Sequence, residues 1–137
     1  MEANKNKSIL LIFDNNKESE FITSNLMENG ITVYNTDNIV DGLKKAKSVN
    51  PQMIVVDTEN NKSEMEMFNE EVKDSIDKNI LSLNIVNVKS NKKNSGENKK
   101  ISSTQHYISQ PVRPKLLLTI IRNIMYGEDL KWFPDLQ

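Results

Sequence analysis

The sequence predicts a doubly wound α/β domain built around a parallel sheet. Three observations predict it. Short apolar runs rich in branched residues alternate with segments whose apolar residues recur every three or four positions. Two of those runs, Ile9-Leu10-Leu11-Ile12-Phe13 and Met53-Ile54-Val55-Val56, are apolar throughout, as strands buried on both faces must be. Each stops at an aspartate, Asp14 and Asp57. An ionised carboxylate is not buried unpaired, so each must lie where its strand surfaces. In an open parallel sheet, ligands bind at the carboxyl ends of the strands. Two aspartates there suggest one acidic pocket suited to a hard cation and phosphoryl chemistry.

The elements follow in order. The first strand is expected over 8–13. A helix over 17–28 places Phe21, Ile22, Leu26 and Met27 on one stripe, and Gly30 ends it as a C-cap. A short strand covers 31–35. A helix over 39–48 has Val40, Leu43 and Ala46 at helical spacing, and Pro51 closes that region. The third strand is 53–56. In the helix over 63–76, Met65, Phe68, Val72 and Ile76 recur at helical intervals. A fourth strand is expected over 80–88 and a fifth over 107–109. Pro114 opens the last helix, 115–126, at a position that proline tolerates, and Gly127 ends it.

One expected helix has no apolar face. Residues 89–100 contain five lysines, one glutamate and no apolar residue, so a helix there would bury nothing. The fourth helix of the fold is therefore expected to be degenerate or disordered. The segment reads first as a solvated loop, and second as a basic patch for an acidic partner. No aromatic residue is interleaved, which leaves base stacking unsupported.

Bulk properties exclude several classes. At 137 residues the chain makes one domain, expected over 1–127 with a C-terminal tail over 128–137. A net charge of -1 supplies no field toward nucleic acid or acidic membrane. The absence of cysteine excludes disulfides and thiolate chemistry. No apolar run reaches the roughly 18 residues of a membrane span, so a cytoplasmic protein is expected. No glycine follows the first strand, where the turn is Asp14-Asn15-Asn16-Lys17, which disfavours a nucleotide-binding loop.

The ILLIFD run ending at Asp14, the NPQMIVVD run ending at Asp57 and YISQPVRP from Tyr107 to Pro114 together resemble the receiver domains of two-component response regulators. The spacing fits as well, with Asp57 lying 43 residues past Asp14 and Gln110 53 past Asp57. The resemblance spans about 7–127 and implies a flavodoxin-like, five-stranded doubly wound sheet. In that family an aspartate at the end of the third strand takes a phosphoryl group from a histidine kinase. Acidic residues after the first strand hold Mg²⁺, and a strand-four Ser/Thr and a strand-five Lys contact the phosphoryl oxygens. A strand-five aromatic ring reports the change.

Carried over residue by residue, Asp57 matches the phosphoacceptor, Asp14 the first acid, Tyr107 the switch aromatic and Pro111 the proline of the last motif. Asn15 stands where the second acid should be. Losing one negative charge weakens an oxygen-ligand metal site, and Glu59 is the candidate to restore it. The metal set is thus Asp14, Asn15, Asp57 and Glu59, with weak Mg²⁺ binding expected. Asn87 replaces the hydroxyl (Ser90 in another register), and Gln110 replaces the lysine, with Lys89 as a candidate substitute. Exchanging a charged hydrogen bond for a neutral one removes on the order of 1–2 kcal/mol of coupling, from a switch that needs about 5.5 kcal/mol.

The resemblance therefore implies a divergent, stand-alone receiver acting through protein partners, a sensor histidine kinase or another signalling protein, with a weakened or lost phospho-switch. Its only enzymatic step would be self-phosphorylation or dephosphorylation at Asp57. A working phosphoacceptor is the alternative. A metal-dependent phosphohydrolase ranks last, since Asp57-Thr58-Glu59 only loosely imitates an Asp-x-Asp site. On the last helix, Leu116, Leu117, Leu118, Ile120, Ile121, Ile124 and Met125 exceed one core-facing stripe, which points to a homodimer or partner interface. Trp132 and Phe133 in the tail are expected to fold back over apolar surface, and His106 to lie at the surface.

Overall fold

The computed structural model describes residues 7–14, 16–58, 62–77, 79–86, 105–109 and 112–126. They form strands β1 (Ser8–Phe13), β2 (Thr32–Thr36), β3 (Met53–Asp57), β4 (Leu81–Val86) and β5 (Gln105–Ser109). Four helices connect or flank them: α1 (Asn16–Glu28), α2 (Ile39–Val49), α3 (Lys62–Ser75) and α4 (Pro114–Tyr126). The strands form one sheet in the order β2-β1-β3-β4-β5, with every pair parallel. This is the doubly wound, flavodoxin-like arrangement that the sequence predicts. Residues 87–104, where the fourth helix of the fold was expected to be degenerate, lie outside the described residues, as does the 128–137 tail.

Strand alternation divides the core in two. Ile9, Leu11, Phe13, Met53, Val55, Leu83 and Ile85 face α1 and α4, meeting Ile22, Leu26, Leu117, Ile121 and Met125. Leu10, Ile12, Ile54 and Val56 face α2 and α3, meeting Ala46, Met65, Phe68 and Val72. Side chains that leave water entirely contribute about 1.5–3 kcal/mol each. The runs in β1 and β3 therefore fix those strands at the centre of the sheet.

Local signals set the helix ends. Gly30 takes φ 83 after α1, a conformation that costs glycine little. The Asn38 side chain caps α2 by accepting the Asp41 N–H at 2.8 Å. Asn50 closes α2 at φ 49, its N–H donating to the Ala46 carbonyl at 2.8 Å. Pro51, which cannot continue a helix, follows at once.

Some faces are narrower than the periodicity implied. On α1 only Ile22 and Leu26 are buried, while Phe21 and Met27 are 38% and 58% exposed. On α2 Gly42 and Ala46 are buried, Ile39 and Leu43 pack against the core from its flank, and Val40 points to solvent. The short pair of small residues lets α2 approach β1 closely. On α4, Leu118, Ile120 and Ile124 are partly buried against the core, so much of its apolar excess is used within the chain. His106 is half-buried, not at the surface: it pairs with Leu83, whose face meets α1 and α4.

Candidate functional site

The carboxyl ends of β1 and β3 bring the two aspartates together. Phe13 and Asp57 are register partners, and the Asp14 N–H donates to the Asp57 carbonyl at 3.3 Å. Asp14 is exposed in the bend after β1, and Asp57 is half-buried as the last residue of β3. Helix α1 begins two residues after Asp14, so its amino terminus, with its partial positive charge, faces this acidic edge.

A third carboxyl group joins them. Glu18, in the first turn of α1, brings its carboxyl group against that of Asp57. Its pKa is raised above the ordinary 4.5, first by partial burial, then by the Asp57 charge, hydrogen bonding with Asp57 and the Asp14 charge. Burial beside two other carboxyl groups thus favours the protonated form of Glu18. The motif reading missed Glu18. Its signal was there: an acid in a helix turn opening just after a strand-end aspartate lies on the same edge of the sheet.

Of the metal set drawn from the sequence, Asp14 and Asp57 are described and adjacent, whereas Asn15 and Glu59 lie outside the described residues. Carboxylate oxygens are the right donors for Mg²⁺. Yet among the described residues no three acidic or histidine side chains are arranged to hold an ion. Asn87, Ser90, Lys89, Gln110 and Pro111 also lie outside the described residues.

Tyr107 is half-buried on the edge strand β5. It is level with Asn84 and Val56 in the row just beneath Asp57. Two strand spacings, about 9–10 Å, separate those columns. Its hydroxyl accepts a hydrogen bond from Asn69 Nδ2 on α3 at 3.3 Å. Burial raises the phenol pKa above 10.0, the Asn69 bond opposes this, and the Glu66 charge adds to the rise.

The row carries a feature no motif flagged. Asn84 is fully buried in β4, with Nδ2 donating to Ser82 Oγ at 3.3 Å and to the His106 carbonyl at 3.2 Å. Its Oδ1 has no hydrogen-bond partner among the described residues. Ser82 and Asn84 make this part of the sheet polar next to the edge strand. An open hollow of about 330 Å³ lined by Ser8, Asn50, Gln52, Asp77 and Asn79 lies at the amino ends of the strands, away from the acidic edge.

Residues 7–104 match the family model TP_0454_N, described as an N-terminal domain. The chain belongs to this family. Most of the TP_0454_N match runs from β1 through β4, so both aspartate-bearing strands fall within it. A search of curated proteins gave no match. Among solved structures, HP1043, an orphan response regulator of H. pylori, is similar at TM-score 0.64 and 18% identity, covering 88% of this chain and 98% of that one. Vibrio cholerae chemotaxis protein CheY4 gives TM-score 0.64 at 20% identity, covering 86% and 98%. A member of a family of redox sensors in streptococci, evolved from two-component response regulators, gives 0.68 at 18%, covering 88% of this chain and 52% of its own. This TP_0454_N chain has the receiver fold. Among the described residues, no helix is long and apolar enough to cross a membrane.

Proposed function

We propose that this TP_0454_N domain is a receiver-like signalling module that works by binding protein partners, with a phospho-switch at Asp57 that is weakened or lost. The observation that carries this is the third carboxyl group, Glu18 in the first turn of α1, set against Asp57. A phosphoacceptor must be an ionised nucleophile beside a metal ion. Here the aspartate in that position is engaged with a second carboxyl group. An incoming Mg²⁺ has to compete with that contact. The replacements Asn15, Asn87 and Gln110 in the sequence point the same way.

Asp14 and Asp57 would hold Mg²⁺, whose role would be to neutralise phosphoryl charge, and Glu18 competes with it until deprotonated. Partners would be a sensor kinase or another signalling protein, and what remains apolar on α4 is a candidate surface for them or for a second copy. The streptococcal redox sensors, described as evolved from response regulators, are a precedent for this fold in another sensing role.

Thermal denaturation with Mg²⁺ and beryllofluoride, a phosphoryl mimic, tests this reading. A ligand at a hundred times its Kd would stabilise a binding site by about 2.7 kcal/mol. The proposal predicts little shift in the wild type and a larger one in Glu18→Ala. A full shift in the wild type, abolished by Asp57→Asn, would favour the working phosphoacceptor instead.

A further inference from the structure

Helix α3 and the edge strand β5 meet through a buried polar contact. Asn69 is 3% exposed on the face of α3 that otherwise buries Met65, Phe68 and Val72. A buried amide needs partners, and its Nδ2 donates to the Tyr107 hydroxyl at 3.3 Å. The Tyr107 ring packs against the same apolar cluster as α2 and α3. Its neighbour in the row, Asn84, turns its Nδ2 to the Ser82 hydroxyl and the His106 carbonyl. Asn69 thus addresses the phenol from the helix layer. Helix α3 starts five residues past Asp57, so the contact links β5 to the segment that leaves the acidic edge.

We propose that Asn69 is a latch: it holds the Tyr107 ring turned onto the α2 and α3 layer in the unmodified protein, and fixes the ring there whatever happens at Asp57. Its weight for signalling rests on the receiver-like reading above, whereas the latch itself does not. The Asn69 bond opposes rotation of the half-buried ring away from this layer, which makes Tyr107 a fixed part of the α3–β5 surface.

The test uses the full chain labelled with 3-fluorotyrosine, which gives three fluorine signals, for Tyr34, Tyr107 and Tyr126. Tyr107→Phe identifies the signal of interest. One sharp Tyr107 signal, unmoved by Mg²⁺ and beryllofluoride but shifted or split in Asn69→Ala, is the expected result. A signal that moves with beryllofluoride in the wild type, or that ignores Asn69→Ala, overturns the latch. Bound beryllofluoride has its own fluorine signal. A silent Asp57 is therefore seen directly, and the Asn69 arm then decides alone. Asn69→Leu, which keeps the buried volume, serves where Asn69→Ala folds poorly. A double-mutant cycle of Asn69→Leu with Tyr107→Phe should show coupling of about two- to twelvefold in the unfolding constant. Independent effects would also overturn the proposal.

Discussion

Glu18 sits against Asp57, and burial beside two carboxyl groups raises its pKa. The folded protein therefore holds the Glu18 proton to a higher pH than the unfolded chain does. Stability from Glu18 is therefore complete below the ordinary value of 4.5 and is lost as pH rises through the raised folded value. Glu18→Gln supplies a donor to Asp57 at every pH. Its denaturation midpoint should rise relative to the wild type as pH goes from below 4.5 toward neutrality. Two parallel curves would contradict the raised Glu18 pKa. His106 works in the opposite sense: burial lowers its pKa, so its contribution falls as pH drops from 6.5 toward the folded value. It is common to both proteins and cancels in the difference. At this scale the aspartates were legible because apolar runs ended on them. Glu18 was not, because helix periodicity marks buried positions and says nothing of an acid in the first turn.

Helix faces were legible in period but not in width. The stripe on α1 joined Ile22 with Met27, yet one is fully buried and the other 58% exposed. Ile22→Ala should cost about 2–5 kcal/mol, and Met27→Ala within about 0.5 kcal/mol, both read from urea unfolding. Equal costs would mean that α1 packs on a wider face than described. On α2, Leu43 and Ala46 of the expected stripe meet the core while Val40 does not, and the closest approach is made at Gly42. A Cβ at Gly42 would come within 2.8 Å of Ile12 Cγ1 and 3.2 Å of Thr36 Oγ1. Ile12 is fully buried and has little room to yield. Alanine normally improves a helix interior by about 0.5–1 kcal/mol over glycine. Here overpacking at about 1–3 kcal/mol outweighs it, so Gly42→Ala should lower the urea midpoint. A gain in stability would show that α2 stands farther from β1. The polar stretch of β4 also escaped the sequence reading, since Ser82 and Asn84 alternate with apolar neighbours as half-exposed strand residues do. Only the register shows them beside β5 on a buried face.

For the whole molecule, parallel strands and two packed faces follow from the apolar runs and the helical stripes between them, and the flavodoxin-like topology from the resemblance to receiver domains. That is why the fold was readable from the chain. Function was less so, because receiver architecture positions an acidic edge without guaranteeing the chemistry performed there. On the proposed reading this edge, with Glu18 set against Asp57, makes a poor phosphoacceptor. Intact mass after incubation with Mg²⁺ and acetyl phosphate, with Asp57→Asn alongside, decides it. At most a trace of phosphoryl adduct is expected on the wild type. A stoichiometric adduct that disappears in Asp57→Asn would contradict it.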